Sequence, residues 1–444
     1  MTHTELAIVV LAAGKGTRMK SKLHKVLHPL GGRPMLHHLM DTADLLNPSR
    51  NVIVVGAGKE QVENSVGDKA EVVVQEPQLG TGHAVQVTKD ALAGFKGRVL
   101  ILYGDVPMVS QNTMEDMVSN DADVVVLGFK PNDAKAYGRL KVSSDGNLDA
   151  IIEFKDANED ERAIDLCNSG IMALNGESMF DLLDALSNDN AAGEYYLTDV
   201  VEIANSKGLK CAVTMTSEQE VTGINSRSEL ASAEKMYQQT RRQYFMDEGV
   251  TLIDPETIYF SYDTIIGRDV VVGPNVLFGP GVEIADDVTI NAFCHLEGAS
   301  VGEGASIGPF SRLRPAAKLG AGVKVGNFVE IKKADIEEGA KVSHLSYIGD
   351  ARVGKNTNIG AGTITCNYDG YFKYHTDIGE GAFIGSNSAL VAPVNIGDGA
   401  IVGAGSVITT VVESDELAIE RSKQRSVAGW ANKFRKKQQE KKNK

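Results

Sequence analysis

Positive charge is in short supply in this chain. Its 45 lysines and arginines face 59 aspartates and glutamates, a formal net charge of −14 over 444 residues, which argues against a general nucleic-acid binder. Cysteine is scarce too. Cys167, Cys211, Cys294 and Cys366 form no CxxC pair and have no zinc-ligand spacing, so a reduced, cytoplasmic protein is expected. No apolar run could span a bilayer. Leu6–Ala13 has no basic leader and reads as a first buried strand, so no membrane partner is expected. Basic residues do gather near the C-terminus, where Lys433, Arg435, Lys436, Lys437, Lys441, Lys442 and Lys444 meet Glu440. That segment reads as a solvated, disordered tail.

What the chain has in abundance is a six-residue rhythm. Ile266, Val272, Phe278, Ile284, Ile290 and Leu296 fall six apart. After a shorter step the spacing resumes at Val301, Ile307, Leu313, Leu319, Val325 and Ile331, and again from Ile378 to Ile408. A period of six fits neither a helix nor an ordinary strand, but it fits a parallel β-helix. Each hexad is one short strand and a turn, and three hexads make a coil. With coils stacked at roughly 4.8 Å, about eight coils give a prism roughly 40 Å tall. The apolar residue points inward, and the glycine that often follows it supplies a tight corner.

The first half reads differently. Short apolar strands (Ala7–Leu11, Val52–Val55, Val72–Gln75, Val99–Tyr103, Val124–Phe129) alternate with helix-like segments such as Pro34–Leu46 and Gly82–Leu92. This alternation predicts an α/β unit with a mainly parallel sheet whose ligands lie at the carboxyl ends of the strands. The first strand runs into Leu11-Ala12-Ala13-Gly14-Lys15-Gly16-Thr17-Arg18-Met19, small residues that let backbone N–H groups approach a phosphate chain beside two cations. It is neither a dinucleotide fingerprint nor a Walker loop, and alone it could be a plain tight turn. Lys25, Gln75, the Leu79-Gly80-Thr81-Gly82 turn and the Tyr103-Gly104-Asp105 strand end converge on the same sheet edge. Asp105 there suits a Mg²⁺ ligand or, more blandly, a helix cap. Arg227 to Glu248 reads as one helix closed by Gly249, dividing the chain into 1–226, a linker helix 227–249, and 250–444.

The repeat also assigns columns. Leu296, Leu313, Ile331 and Ile348 should stack, and the residues after them are Glu297, Arg314, Lys332 and Gly349. Two stacked cations call for an anion. Either a bound phosphate or the neighbouring Glu297 could answer that need. A second column holds Asn327, His344 and Ala361. After Thr363 the rhythm fails until Ile378, leaving Ile364-Thr365-Cys366-Asn367-Tyr368-Asp369-Gly370 as a surface loop.

LAAGKGTRM, LGTGHA and YGDVP resemble the sugar-1-phosphate nucleotidyltransferases. With Tyr137-Gly138-Arg139, Glu153-Phe154-Lys155-Asp156, Cys167-Asn168-Ser169-Gly170, Gly223-Ile224-Asn225 and ITCNYDG, nearly the whole chain resembles one bacterial family. Its members are the bifunctional N-acetylglucosamine-1-phosphate uridyltransferase/glucosamine-1-phosphate acetyltransferases. The resemblance implies a Rossmann-like nucleotidyltransferase domain followed by a left-handed parallel β-helix, in a homotrimer with active sites between neighbouring prisms. It implies uracil recognition near Leu11, Ala12, Ala13, Gly14, Gln75, Gly80 and Thr81. The sugar would be held by Tyr103, Gly104, Gly138, Glu153 and Asn168, with Mg²⁺ on Asp105 and Asn225. Arg18 and Lys25 would offset charge as the sugar phosphate attacks UTP. On the prism, Arg314, Lys332, Tyr347 and Asn358 would bind glucosamine-1-phosphate and His344 would be the base. Ala361, Asn367, Tyr368, Ser386, Ala404 and Arg421 would meet acetyl-CoA. His24 and Ala316 depart from the family pattern, where Pro and Gly are usual. Two other readings stay open: a nucleotidyltransferase whose β-helix serves only assembly or regulation, and a non-enzymatic trimeric scaffold that binds sugar nucleotide as a signal.

Overall fold

The computed structural model describes residues 5–56, 58–134, 137–190 and 193–443; Lys444 of the basic tail lies outside them. The chain folds into two compact units, Met1–Thr240 and Arg241–Lys444. The division falls inside one continuous helix, Arg227–Asp247. Ala233 on this helix packs with Leu30, Met35 and Ile224 of the first unit, and Phe245 joins the core of the second.

The first unit is built on a nine-stranded sheet among the described residues. Its strands are β1 (Leu6–Ala12), β2 (Arg50–Val55), β3 (Glu71–Val74), β4 (Arg98–Tyr103), β5 (Val124–Phe129), β6 (Arg139–Val142), β7 (Leu148–Ile152), β8 (Cys167–Asn175) and β9 (Cys211–Thr216). The main path runs β9-β5-β8-β4-β1-β2-β3, with β6 and β7 forming a hairpin that reaches the sheet through β8. β1, with seven buried residues, pairs in parallel with both β2 and β4, as strands covered on both faces do. Sequence periodicity missed β8, the antiparallel strand, together with β9 and the hairpin. The helix expected over Gly82–Leu92 is shorter, Thr81–Gln86.

The second unit is a left-handed parallel β-helix of hexapeptide repeats. One side is a ten-stranded parallel sheet from Thr251–Leu252 to Leu417–Ala418, so the prism has more coils than the repeat alone suggested. The columns hold: Leu313, Ile331 and Ile348 are successive register partners, as are Val325, Val342 and Ile359, all at most 2 % exposed. Two expectations change. The glycine after the inward residue is not the left-handed corner. Gly320 is required because a Cβ there would lie 2.7 Å from the backbone N of Glu338 on the next coil. The left-handed positions fall elsewhere, on residues such as Asn275, Phe293, Phe310, Phe328, Leu345 and Asn387. Nor does the rhythm fail after Thr363. Thr365 fills the next inward position, partnering Leu390 above, and its hydroxyl bonds Gly349 N at 2.8 Å and Gly349 O at 3.0 Å on the coil below. The surface loop therefore starts only at Asn367.

The basic tail also differs from expectation. Trp430–Lys442 is a helix with every residue exposed, its Lys-, Arg- and Gln-rich stretch being compatible with helical backbone.

Crowding against the next coil predicts that Gly320→Ala destabilises the prism by about 1–3 kcal/mol, seen as a lower denaturation midpoint. Gly381→Asn, at φ 64 with nothing within 4 Å of its Cβ position, should change stability by less than about 0.5 kcal/mol.

Candidate active sites

At the carboxyl edge of the first sheet, β1 runs into the Ala13-Gly14 turn and opens a cavity of about 280 Å³. Leu11, Ala12, Ala13, Gly14, Lys25, Gln75, Gly80, Thr81, Tyr103 and Asp105 line it, all anticipated from sequence, together with Gln78 and Glu194, which were not. The Gly80–Gly82 turn is pinned by Tyr195: Tyr195 N donates to Leu79 O and Gly82 N to Tyr195 O, each at 2.8 Å. Gln75 Nε2 donates to Gly80 O at 2.8 Å, and Gln78 Nε2 donates to Ala13 O. Gly104 continues β4, its N–H on Leu11 O at 3.0 Å.

A second cavity of about 730 Å³ shares Thr81, Tyr103 and Glu194 with the first, and holds Gly138, Glu153 and Asn168. Asn168 N donates to Gly138 O at 2.9 Å, tying two of the anticipated residues together. Gly170 has φ +89, and a Cβ there would lie 2.9 Å from the Tyr103 ring, so glycine lets the phenol reach the cavity. Burial, then the Asp105 and Glu153 carboxylates, push that phenol well above its ordinary range, so it remains a neutral hydrogen-bonding group. Burial, then Asp156 and Asp199, push the Glu153 carboxyl up. Tyr196, Leu197 and Thr198 complete this cavity; sequence pattern carries no signal for them because they arrive from a distant loop.

Between the cavity and Asn225 lies a compact polar cluster. Lys25 Nζ is 2.5 Å from Asp105 Oδ2 and 3.0 Å from Asn225 Oδ1. Ile224 N donates to Asp105 O at 2.9 Å, and Asn225 N donates to Glu229 Oε2 at 2.6 Å, which fixes the backbone of both residues. Arg18 is exposed on the short turn Thr17–Met19 and lines neither cavity. His24, just before Lys25, is 9 % exposed, and neither ring nitrogen has a hydrogen-bond partner among the described residues.

On the prism, Arg314 Nη1 is 2.7 Å from Glu330 Oε1. Its carboxylate partner is thus Glu330, not Glu297, because outward residues of neighbouring hexads meet across the face. Lys332 follows on the next coil, aligned with Gly349. Arg314, then Lys373 from the loop, hold its ammonium below the usual lysine range; three cations share one patch. Tyr347 lies over Gly349, where a Cβ would stand 2.4 Å from the phenol oxygen, and so joins this column. Asn358 does not. It belongs to the other sheet, paired with Lys341 and Phe383.

His344 is exposed, its Nδ1 2.7 Å from Asn327 Oδ1 on the coil below. Registers from Val325 to Val402 place Asn327, His344, Ala361, Ser386 and Ala404 in one column. Arg421 Nη1 donates to Ala404 O at 2.6 Å. Beside this column the left-handed corner is Phe328 and then Leu345 up to His344, and Gly362, Asn387 and Gly405 above it. Asn367 and Tyr368 open the loop; Tyr374 N donates to Asn367 O at 2.9 Å, and Tyr368 Oη donates to Gly370 O at 2.6 Å.

Residues 8–197 match the MobA-like NTP transferase domain, and residues 263–298 and 375–410 match the bacterial transferase hexapeptide model. Among curated proteins, the bifunctional protein GlmU of Rhizorhabdus wittichii is 61 % identical over 441 residues, 98 % of each chain. That of Rhodospirillum rubrum is 59 % identical over 97 % of this chain and 98 % of its own. The chain belongs to the family of bifunctional GlmU proteins. A more distant GlmU protein, from Zymomonas mobilis, is still 52 % identical over 99 % of both chains. Membership makes this an enzyme with two transferase activities, a nucleotidyltransferase and a hexapeptide acyltransferase.

The histidines around Lys25 predict an acid-sensitive first unit. Burial foremost lowers His24, His28, His37 and His38 from the ordinary 6.5. The unfolded chain takes up these protons near pH 6.5 while the folded unit refuses them. Stability intact above that pH is therefore lost as pH falls through it toward the folded values. His24→Gln should flatten the slope of unfolding free energy by up to about 1.4 kcal/mol per pH unit, measured by urea titration between roughly pH 7.5 and 5.5.

Proposed function

We propose that the prism acetylates glucosamine-1-phosphate from acetyl-CoA and that the first unit then transfers uridylyl from UTP to the N-acetylated product. Pyrophosphate and UDP-N-acetylglucosamine result. The observation that carries this reading is the pair of cation-centred sites, Lys25 with Asp105 and Asn225, and Arg314 with Lys332 and Lys373. Each stands beside residues suited to one of the two transfers.

In uridylyl transfer a sugar-phosphate oxygen attacks the α-phosphorus of UTP in line. A phosphate monoester is already largely ionised at neutral pH, so no general base is required. Lys25, with Arg18 from its exposed turn, reduces repulsion between the two polyanions. The small Leu11–Gly14 backbone and the Gly80–Thr81 turn hold the base, and Gly138, Glu153 and Asn168 hold the sugar. Asp105 and Asn225 fit Mg²⁺, because their oxygens already converge on one cation, the Lys25 ammonium. A magnesium ion takes one or two protein oxygens and keeps its waters. When bound, it supplies further charge neutralisation on the phosphates.

In acetyl transfer the substrate amine must lose a proton. With Asn327 Oδ1 as acceptor, His344 carries its proton on Nδ1 and turns a free Nε2 lone pair outward. Nε2 takes the proton as nitrogen attacks the thioester carbonyl, and the coenzyme thiolate leaves. A backbone N–H near Ala361 stabilises the oxyanion. Arg314, Lys332 and Lys373 hold the phosphate, and the line of Ala361, Ser386, Ala404 and Arg421 receives acetyl-CoA.

A homotrimer completes the second site. Two features support it. Asn358 stands on a different sheet from Arg314, Lys332 and Tyr347, so a neighbouring copy would be needed to gather all four. Phe293, Phe310 and Phe328 stack at 4.9 and 5.3 Å between ring centroids, yet are 51 %, 46 % and 56 % exposed. All three adopt positive φ, a conformation that costs L-residues about 1–2 kcal/mol each and serves little purpose on a bare surface. UTP and acetyl-CoA as co-substrates support a cytoplasmic location; among the described residues no helix is long and apolar enough to cross a membrane.

His344→Ala should lose at least about a hundredfold in acetyl transfer and keep uridylyl transfer. Asp105→Ala should show the reverse in Mg²⁺-dependent assays on the same preparations. Full acetylation by His344→Ala would remove the assignment of the base. Phe310→Asp/Phe328→Asp should give monomers by light scattering, with acetyl transfer lost and uridylyl transfer kept.

A further inference from the structure

Asp350 has no part in the chemistry above, yet it is 6 % exposed at a left-handed corner with φ 46. Its Oδ1 is 3.1 Å from Lys333 Nζ, and its Oδ2 accepts from Asn367 Nδ2 at 2.6 Å. Burial alone would push this carboxyl up; the bonds from Lys333 and Asn367 outweigh it and hold it below its ordinary value. An ionised carboxylate only accepts hydrogen bonds, so it can face the NH₂ end of the Asn367 amide and not its oxygen. The backbone of Asn367 is fixed as well, its N–H on Thr365 O at 3.0 Å and its carbonyl accepting from Tyr374 N at 2.9 Å. Rotation of the carboxamide is the freedom left, and Asp350 removes it. No described residue donates to Asn367 Oδ1.

We infer that Asp350 is a positioning residue for acetyl transfer: it orients Asn367 so that the amide oxygen, not the NH₂ group, is offered to an N–H donor of a bound substrate. This rests on the reading of the prism corner as the acetyl-transfer site. Two substrates supply such a donor, glucosamine-1-phosphate through its amine and acetyl-CoA through the amides of its arm. A fixed acceptor is selective, since an amide free to flip would offer a donor half the time and repel either group.

The test is a reciprocal swap in the full-length enzyme. Acetyl transfer is measured against both substrates, and uridylyl transfer in the same samples reports an intact chain. Asn367→Ala should lower acetyl kcat/KM by about ten- to a hundredfold, the range for a hydrogen bond to a charged group. Asn367→Asp should fall at least as far, because two carboxylates then face each other. Combining it with Asp350→Asn should restore at least about tenfold: the amide introduced at 350 donates to the carboxylate at 367, and an oxygen again faces the substrate. The substrate whose KM moves is the donor. Lys333→Ala, which removes only the other partner of Asp350, should stay within about threefold. A double variant no better than Asn367→Asp overturns the proposal. Should the carboxylate variants not fold, Asp350→Ala decides: a tenfold or greater loss in acetyl kcat/KM carried by one substrate's KM is expected, and unchanged acetyl transfer overturns it. Full acetylation by Asn367→Ala would instead show that this corner is not the acetyl-transfer site.

Discussion

The second unit depends on one constraint, the parallel hydrogen-bond register from coil to coil. Because Leu313, Ile331 and Ile348 are held in register, residues a coil apart in sequence become vertical neighbours. That turns Arg314 and Lys332 into one patch, and Asn327 and His344 into a hydrogen-bonded pair. A globular fold would need long-range packing to bring such residues together; here each coil does it by repeating the last. The same constraint crowds a Cβ at Gly320 against the backbone of the next coil, and glycine at 349 leaves room for the Tyr347 phenol.

The first unit obeys the rule of open α/β sheets, in which the carboxyl ends of strands carry the ligand site. β1 and β4 deliver the Leu11–Gly14 turn and the Tyr103–Asp105 end to the same edge, and the Lys25 ammonium draws in Asp105 and Asn225 across 200 residues of sequence. The buried imidazole of His24, without a hydrogen-bond partner among the described residues, immediately precedes the lysine at the centre of this cluster. A single side chain thus sets how the site's support tolerates acid, leaving the groups that meet substrate as they are.

How far the sequence could be read differs between the two units. A strict period made the prism, its columns and the His344–Asn327 neighbourhood legible from the residues alone. Glu330 escaped because the ion pair runs between different positions of successive coils, which a column of like positions does not compare. Thr365 escaped because a threonine breaks an apolar pattern while still filling the inward slot with its hydroxyl satisfied. In the first unit, motifs marked the residues near β1 and β4, but Gln78, Glu194 and Tyr196 enter through loops with no periodicity to follow. β8 was missed because an antiparallel strand inserted between β4 and β5 leaves no mark in an alternation of strands and helices.

Thr365 bears on how the prism reaches a single structure. A stack of similar coils can in principle assemble one rung out of step and still bury an apolar residue at nearly every level. A hydroxyl satisfied by the Tyr347 and Gly349 backbone would lose those partners in such a slipped stack, and a buried hydroxyl left unpaired carries a penalty of about 1–3 kcal/mol. The polar group therefore acts as an index pin. It sits on the coil that opens into Asn367 and bonds the coil that carries Tyr347, so misaligned assemblies are disfavoured at the level where misalignment would scatter the second site.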